Sequence, residues 1–291
     1  MTHSPRTLFR FIWISLLSSI SIGALAEDSV HLSFTYFPES DYRMESVTNS
    51  QIKMNFSGDY TALPIDLAQR LPMDFEMMQQ TAHTLKTGKT KPDNTFSISM
   101  KLGDEKTQIK MPGQEFMELP NDSNPLKDAV LHGSINSDGS LTYHSTSGSI
   151  DPKFNRMLES MFDQIANSNL MLGQTFKIGE TVPIPFPISL PLEDVGAMNL
   201  AMEMRYTLKK IVHPLAYFDI EFDTVISGEQ DLSDLSIQGG GSGKMIYHME
   251  SHISPEQNFI MTMAMKMPMH GGFLNLYMNN HSSTNTSFIQ R

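Results

Sequence analysis

The stretch MNLAMEMRYTL, residues 198–208, alternates apolar and polar residues over its whole length. Its even-numbered residues are Met, Leu or Tyr, and its odd-numbered residues are Asn, Glu, Arg or Thr, with Ala201 neutral. Successive side chains of a β-strand point to opposite faces, so a period of two predicts a strand with one buried face. The stretch therefore predicts a β protein in which many buried-face residues are methionines.

The same alternation recurs along both halves of the chain. It predicts further strands within residues 44–56, 96–102, 218–226, 245–253 and 261–269. Asp138-Gly139, between Ile135 and Leu141, is typical of a tight hairpin turn. The segment 181–191 contains four prolines. Because proline cannot donate to a strand ladder, this segment is predicted to be an extended edge or a connector.

One segment, residues 151–167, has the period of an α-helix instead. Its apolar residues recur at spacings of three and four and form one stripe, namely Phe154, Met157, Leu158, Met161, Phe162 and Ile165. Asp151 is a suitable N-cap, and Pro152 is a suitable first helical residue. The sequence therefore predicts a mainly β, α+β fold, with a large curved antiparallel sheet or half-barrel packed on one central amphipathic helix.

The N-terminal residues 1–26 have the features of a cleaved signal peptide. Arg6 and Arg10 precede an apolar stretch of about 12 residues, which is too short to span a bilayer. Ala24-Leu25-Ala26 is a small-residue cleavage site, so we predict a periplasmic or secreted protein cleaved near Ala26. The remainder is predicted to be one β-rich domain at 27–278, with N-terminal strands in 30–147, C-terminal strands in 196–278, and a loose polar tail at 279–291.

The composition argues against several classes of function. The chain has no Cys, which excludes disulfides, thiolate metal sites, Cys nucleophiles and a bacterial lipoprotein anchor. The formal net charge of −11 becomes −13 when the two arginines of the signal peptide are removed. So negative a chain repels phosphate backbones, and no nucleic-acid partner is predicted. A membrane β-barrel is disfavoured because the cleaved chain has no Trp for an aromatic girdle, so the protein is not predicted to be integral to a membrane.

Two short motifs that suggest catalysis or metal binding are better explained as structural features. The run GGGSGK at 239–244 lacks the first Gly and the Ser or Thr of a phosphate-binding loop, and it is predicted to be a flexible turn or bulge. On an extended strand His248, Glu250 and His252 share one face, but the two imidazoles lie roughly 13 Å apart, too far for one metal. A solvated strand face is predicted there. With no catalytic motif found, the protein is predicted not to be an enzyme.

The order of these segments resembles an uncharacterised secreted bacterial family, a domain of unknown function with Met- and Thr-rich strands. The resemblance is carried by GSINSDGSLTYHSTSG at 133–148, the helix at 151–165, LGQTFKIGETVPIPFP at 172–187, and the strands at 198–211 and 259–268. Val182 is a departure, because the resemblance leads us to expect an aromatic residue after the run Gly179-Glu180-Thr181. A curved antiparallel sheet with a helix against its concave face is also similar to periplasmic lipoprotein carriers of the LolA type.

The preferred functional hypothesis is a non-enzymatic periplasmic protein that binds an apolar ligand, such as a lipid or an acyl chain. Methionine is flexible and polarizable, so a Met-lined β cavity could adapt to such a ligand. No cofactor is predicted under this hypothesis. The residues predicted to line the cavity are Phe154, Met157, Met161, Met198, Met202, Met204, Tyr206, Met245, Tyr247, Met249, Met261, Met263 and Met265.

Two other hypotheses remain open. Thioethers are soft ligands that suit Cu(I), so a copper-buffering site could be formed by Met261, Met263, Met265, Met267, Met269 and His270. Alternatively, the apolar face could dock an envelope protein partner, which would make the chain a structural or assembly component of the envelope. The dispersal of Met over nearly every strand favours an apolar interior over a dedicated metal site.

Overall fold

The computed structural model of the protein describes eight stretches of the chain. These are residues 28–33, 36–103, 105–119, 129–137, 139–148, 173–192, 196–226 and 236–290, with the backbone alone at 186–192, 196–202 and 224–226. The strands are β1 (Ser29–Leu32), β2 (Ser40–Gly58), β3 (Met73–Thr87), β4 (Phe96–Lys101), β5 (Glu105–Lys110), β6 (Met117–Glu118), β7 (Val130–Ile135), β8 (Leu141–Ser147), β9 (Gln174–Lys177), β10 (Thr181–Leu192), β11 (Gly196–Val212), β12 (Leu215–Ile226), β13 (Ser236–His248), β14 (Ile253–Met269) and β15 (Gly272–Gln290).

The predicted α+β fold class is wrong, because the described chain is almost entirely β-strand. Its helical elements are a four-residue helix, α1 (Ile65–Ala68), and a three-residue 3-10 turn, Tyr60–Ala62. The predicted central helix, with its lining residues Phe154, Met157 and Met161, lies outside the described residues, as does the predicted signal peptide. Among the described helices, none has the length and apolar character needed to cross a membrane.

Thirteen of the strands form one antiparallel sheet. Its order is β10-β11-β12-β13-β14-β15-β2-β3-β4-β7-β8, with β5 beside β3 and β6 beside β5. The C-terminal strands and the N-terminal strands meet in the middle, where β15 pairs with β2 from Gly272↔Gly58 to Gln290↔Ser40. β7 and β8 form the predicted hairpin, with Ile135 opposite Leu141, although Asp138 of the predicted turn lies outside the described residues.

The proline-rich segment forms β10, an edge strand of the large sheet. Its prolines at 183, 185, 187 and 191 are all odd-numbered. In an antiparallel pair alternate residues direct their amides to the same side, so prolines at every second position leave the intervening amides available to β11. This arrangement explains why a segment rich in proline pairs along its full length with β11 and still lies at an edge.

The two faces of the sheet differ in what covers them. We call the face that carries Tyr206, Phe218 and Leu85 the inner face, and the opposite one the outer face. The short antiparallel pair β1–β9 packs on the inner face near β10–β13. Buried residues there form an end cluster: Val30, Leu32, Phe176, Ile184, Tyr206, Leu208, Ala216, Phe218, Ile220, Met245 and Tyr247.

Two smaller apolar clusters are buried elsewhere on the inner face. The turn cluster consists of Phe56, Leu63, Leu71 and Leu274, and is covered by the segment that contains α1. The β4 cluster consists of Tyr42, Leu85, Phe96, Ile98 and Ile135. The core of the described chain is therefore split into three parts, which lie around the middle of the inner face.

Three local predictions are wrong. The polar residues 279–290 form the second half of β15 and pair with β2 and β14, so they are not a loose tail. The glycine run at 239–244 lies inside β13, paired on both sides, and is neither a turn nor a bulge. Residues 249–252 form a turn between β13 and β14, so His248 and His252 do not lie on one continuous strand.

Candidate functional site

The middle of the inner face carries a strip of partly exposed apolar side chains. This methionine strip consists of Met261, Met263, Met265, Leu276 and Met278. The strand register places Met263 opposite Met278 and Met265 opposite Leu276 on the neighbouring strands β14 and β15. Met245, in the end cluster, is only 2% exposed. The strip is thus continuous with the core but is not sealed like the end cluster.

Beside the strip, three successive inward-facing residues of β13 are glycines, so this part of the strand has no side chains on the inner face. Gly239, Gly241 and Gly243 lie opposite Met263, Met261 and Phe259 of β14. A Cβ atom on Gly241 would come within 2.5 Å of Phe222 Cζ, and one on Gly243 within 2.5 Å of Phe259 Cδ1. The two aromatic rings therefore lie directly over the glycine backbone and form an apolar floor beside the methionine strip.

A polar area adjoins the strip on β2 and β15. This hydroxyl patch consists of Ser46, Thr48, Ser50, Asn280, Ser282 and Thr284, which the register places on the inner face. Cross-strand hydrogen bonds join Ser46 Oγ to Thr284 Oγ1 at 2.7 Å and Thr48 Oγ1 to Ser282 Oγ at 3.1 Å. Asn280, opposite Met261, has a buried Oδ1 that accepts no hydrogen bond in the described part of the chain.

The hydroxyl patch borders Glu105, the one carboxylate that the described register places on the inner face of the sheet strands. Glu105 accepts hydrogen bonds from Gln79 Nε2 at 2.6 Å and Thr107 Oγ1 at 3.0 Å. Nearby, burial lowers the pKa of His83 from 6.5, and the charge of Glu105 acts in the opposite direction. His83 is therefore neutral at pH 7, and the patch offers neutral hydrogen-bonding groups beside one negative charge.

The predicted lining residues are divided between the core and the strip. Tyr206, Met245 and Tyr247 are buried in the end cluster, and Met204 and Met249 pack against it. Met198 and Met202 are in register with the inner face on β11, where only the backbone is described. Of the described residues predicted to line a cavity, three lie in the strip itself: Met261, Met263 and Met265.

The predicted copper ligands are also divided. Met267 and Met269 pack against the turn cluster, and His270 lies in the exposed turn that follows β14. From Met261 to Met269 the strand extends roughly 27 Å, so the six residues cannot share one ion. The part of the described chain searched for three or more His, Asp or Glu around one point contains no such group. Two or three neighbouring residues could still share an ion, so copper binding by Met261, Met263, Met265, Met267, Met269 and His270 stays a prediction.

The outer face is polar, and sequence reasoning assigned it no site. Asp219, Glu221 and Asp223 alternate along β12, and Arg205 of β11 forms an ion pair with Asp223 at 2.8 Å. A groove crosses this face beside Tyr277 and Asn279 of β15, with a volume of about 620 Å³. The available sequence signal was Tyr277, an aromatic residue in a polar register position whose side chain is 50% exposed.

No family model matches the chain, and no curated protein matches it. The resemblances to the uncharacterised secreted family and to LolA-type carriers therefore stay predictions.

Among solved structures, the chain aligns with an outer membrane channel from Pseudomonas putida F1 at 9% identity and a TM-score of 0.22, covering 87% of this chain and 98% of that chain. A bacterial polysaccharide outer membrane secretin aligns at 8% identity and a TM-score of 0.23, covering 84% and 97%. The translocator domain of the autotransporter NalP from Neisseria meningitidis aligns at 6% identity and a TM-score of 0.18, covering 84% and 88%. TM-scores this low do not indicate a common fold, so these alignments carry no conclusion about this chain.

Proposed function

We propose that this protein is a non-enzymatic envelope protein that binds an amphiphile with an acyl chain and an uncharged polar head. The observation that carries the proposal is the position of the methionine strip. Its side chains are partly exposed between three sealed clusters, and a continuous apolar surface of this kind is typical of a binding site. Methionine side chains can repack around chains of different length, which suits an acyl ligand.

The hydroxyl patch supports the choice of an amphiphile over a purely apolar ligand. It begins where the strip ends on β15, with Met278 followed at the next inward position by Asn280. The buried Oδ1 of Asn280 needs a hydrogen-bond donor, because an unsatisfied buried acceptor costs about 1–3 kcal/mol. A ligand hydroxyl or amide N–H can supply that donor.

The charge of the patch selects the head group. Glu105 lies on the inner face of the large sheet. Among the described residues of its strands, the register places no Lys or Arg on that face. A negatively charged head would therefore lose its hydration without gaining a cationic partner at these positions, which disfavours it relative to an uncharged head. The expected ligand class is an acyl ester or acyl amide whose head carries hydroxyl groups.

The test compares two ligands with the same chain, 1-monomyristoylglycerol and myristate, in displacement of the neutral dye N-phenyl-1-naphthylamine. The glyceride is expected to bind about tenfold more tightly than the anion, a difference of ~1.4 kcal/mol. Met263→Gln places an amide in the strip and is expected to weaken both ligands about tenfold. Asn280→Ala is expected to weaken the glyceride alone, by about threefold to tenfold.

Matched controls separate these effects from general damage to the fold. Met117→Gln makes the same change at a methionine of β6 that is 50% exposed, and Asn285→Ala removes an outward-facing amide of β15. Both should bind the two ligands like the wild type. The proposal is abandoned if neither ligand displaces the dye and gently purified protein contains no extractable lipid.

A further inference from the structure

The outer groove is continuous across the middle of the sheet. Three adjoining depressions share Gln51 of β2, and their volumes are about 620, 410 and 290 Å³. Together they extend from Glu76 on β3 to Asp223 on β12. That distance is five strand spacings, or roughly 24 Å. The groove is therefore long enough for an extended ligand and lies on the face opposite the methionine strip.

Four side-chain amides line this groove without using their hydrogen-bonding groups. Asn49 and Gln51 of β2, Gln238 of β13 and Asn279 of β15 make no side-chain hydrogen bond within the described residues. Each carboxamide offers two donors and one acceptor in a plane. Such groups match neighbouring hydroxyls, which both donate and accept.

An aromatic ring lies among these amides. Tyr277 of β15 is 50% exposed. It lies on the same strand face as Asn279, two residues further along, and the register places it opposite Lys53 of β2. At the β3 end of the groove Phe116 is 39% exposed, with Lys110 Nζ 5.5 Å from its ring centroid. An exposed aromatic face in a polar groove provides an apolar platform for a ligand that has both C–H surfaces and hydroxyl groups.

The charges of the groove are neutralised by partners within it or at its rim. Lys53 pairs with Asp74 at 3.5 Å, and Lys110 pairs with Glu76 at 3.4 Å. Asp223 pairs with Arg205. Paired charges give little net attraction for an ionic ligand, so the groove favours a neutral polar one.

From these observations we infer that the outer groove binds a neutral oligosaccharide, with Tyr277 stacked on a sugar ring and the amides bonded to its hydroxyls. An extended peptide fits less well, because the groove lies on a sheet face whose backbone groups are already paired, and peptides that add to sheets use a free edge. The inference is independent of amphiphile binding on the inner face.

The experiment measures binding of three neutral hexasaccharides, cellohexaose, maltohexaose and chitohexaose, to the full chain by isothermal titration calorimetry and saturation-transfer NMR. At least one is expected to bind, and Tyr277→Ala is expected to weaken it about tenfold. Asn279→Ala is expected to weaken it by a smaller factor. Asn285→Ala removes an amide of the same strand and face outside the groove, and should change the affinity less than about twofold.

Two outcomes overturn the inference. One is that the folded wild type binds none of the three sugars, or binds a hexapeptide of alternating Ser and Gly in their place. The other is that Tyr277→Ala and Asn285→Ala bind the sugar equally well. Displacement of the naphthylamine dye by 1-monomyristoylglycerol should be unchanged in Tyr277→Ala, so failure of the sugar site and failure of the amphiphile site give different results.

Discussion

The end cluster and the methionine strip lie on the same face of the same sheet but are covered to different degrees. In the end cluster β1 and β9 cover the strands, and Phe176, Phe218 and Tyr247 are at most 1% exposed. In the strip, Met263 and Met278 are partly exposed, and polar side chains begin one inward position away. One part of the inner face is therefore sealed core that stabilises the fold, and the other leaves apolar side chains partly exposed to solvent.

The sharpest test of the sealed region is Phe176→Ala. Phe176 is fully buried, with its ring centroid 5.3 Å from that of Phe218. Deleting the ring is expected to lower the free energy of unfolding by about 3–5 kcal/mol, measured by urea denaturation. Ile178→Ala, two residues along and 45% exposed, should lose less than about 0.5 kcal/mol. A Phe176 variant as stable as the Ile178 variant would contradict the assignment of β9 to the core.

A pair of methionine substitutions compares the two regions directly. Met245→Ala, in the end cluster, is expected to cost about 2–5 kcal/mol of unfolding free energy. Met263→Ala, in the strip, should cost about 1 kcal/mol, because its side chain is only partly removed from water. Equal losses in chemical denaturation would mean that the strip is as sealed as the end cluster.

The glycine floor beside the strip can be tested with another pair. In Gly241→Ala the added Cβ would collide with the carbonyl oxygen of Ile260 and with the ring of Phe222. The substitution should therefore lower the free energy of unfolding by about 1–3 kcal/mol. In Gly239→Ala the atom nearest to the added Cβ is the Thr262 carbonyl oxygen, at 3.0 Å. Chemical denaturation should therefore show a loss of unfolding free energy below about 1 kcal/mol. The reverse order of stability would show that Phe222 does not lie over Gly241.

The smallest expected effect concerns pH at the sealed end. Burial, and then the charge of His31, lowers the pKa of His252 below its ordinary value of 6.5. The unfolded chain therefore takes up a proton near pH 6.5 that the folded chain does not bind until lower pH, so this group makes stability fall as pH falls through 6.5. The measurement compares the urea concentration at the unfolding midpoint at about pH 5 and at about pH 7.5, and the midpoint at pH 5 is expected to be lower.

The matched variant for this prediction is His252→Asn. His252 has a φ of 54°, which Asn tolerates better than most residues. The variant should lose less stability on acidification than the wild type, with the remaining pH dependence including that of His83, whose pKa burial also lowers. Identical pH dependence in the wild type and the variant would contradict the assignment.

The strands were predictable where alternation was strong. Period two placed Met261, Met263 and Met265 on one face because a strand allows no other arrangement of every second side chain. The sequence also pointed to the proline-rich edge and the β7–β8 hairpin, since both depend on local backbone chemistry.

The errors occurred where partners distant in sequence decide the structure. The glycines of β13 looked like a turn, yet Phe222 and Phe259 fill the space above them. Residues 279–290 are polar at nearly every position and looked unstructured, but β2 supplies matching hydroxyls across the strand pair. The sequence did not predict the outer groove. Its polar residues lie on several strands, and the sequence alone does not reveal which of these strands are neighbours in the sheet.

The central position of β15 has a consequence for the order of folding. β10–β14 can pair among themselves, and so can β2, β3, β4, β7 and β8; within the described strands of the large sheet, the two sets join through β15, residues 272–290. That contact closes a loop of more than 200 residues, as in the pair Gly272↔Gly58, and such long-range pairing is slow to form. Until β15 has paired, β14 and β2 each present an unpaired edge, of 17 and 19 residues respectively. Long unpaired edges can pair with other chains, so the chain is most prone to aggregate before β15 is in place.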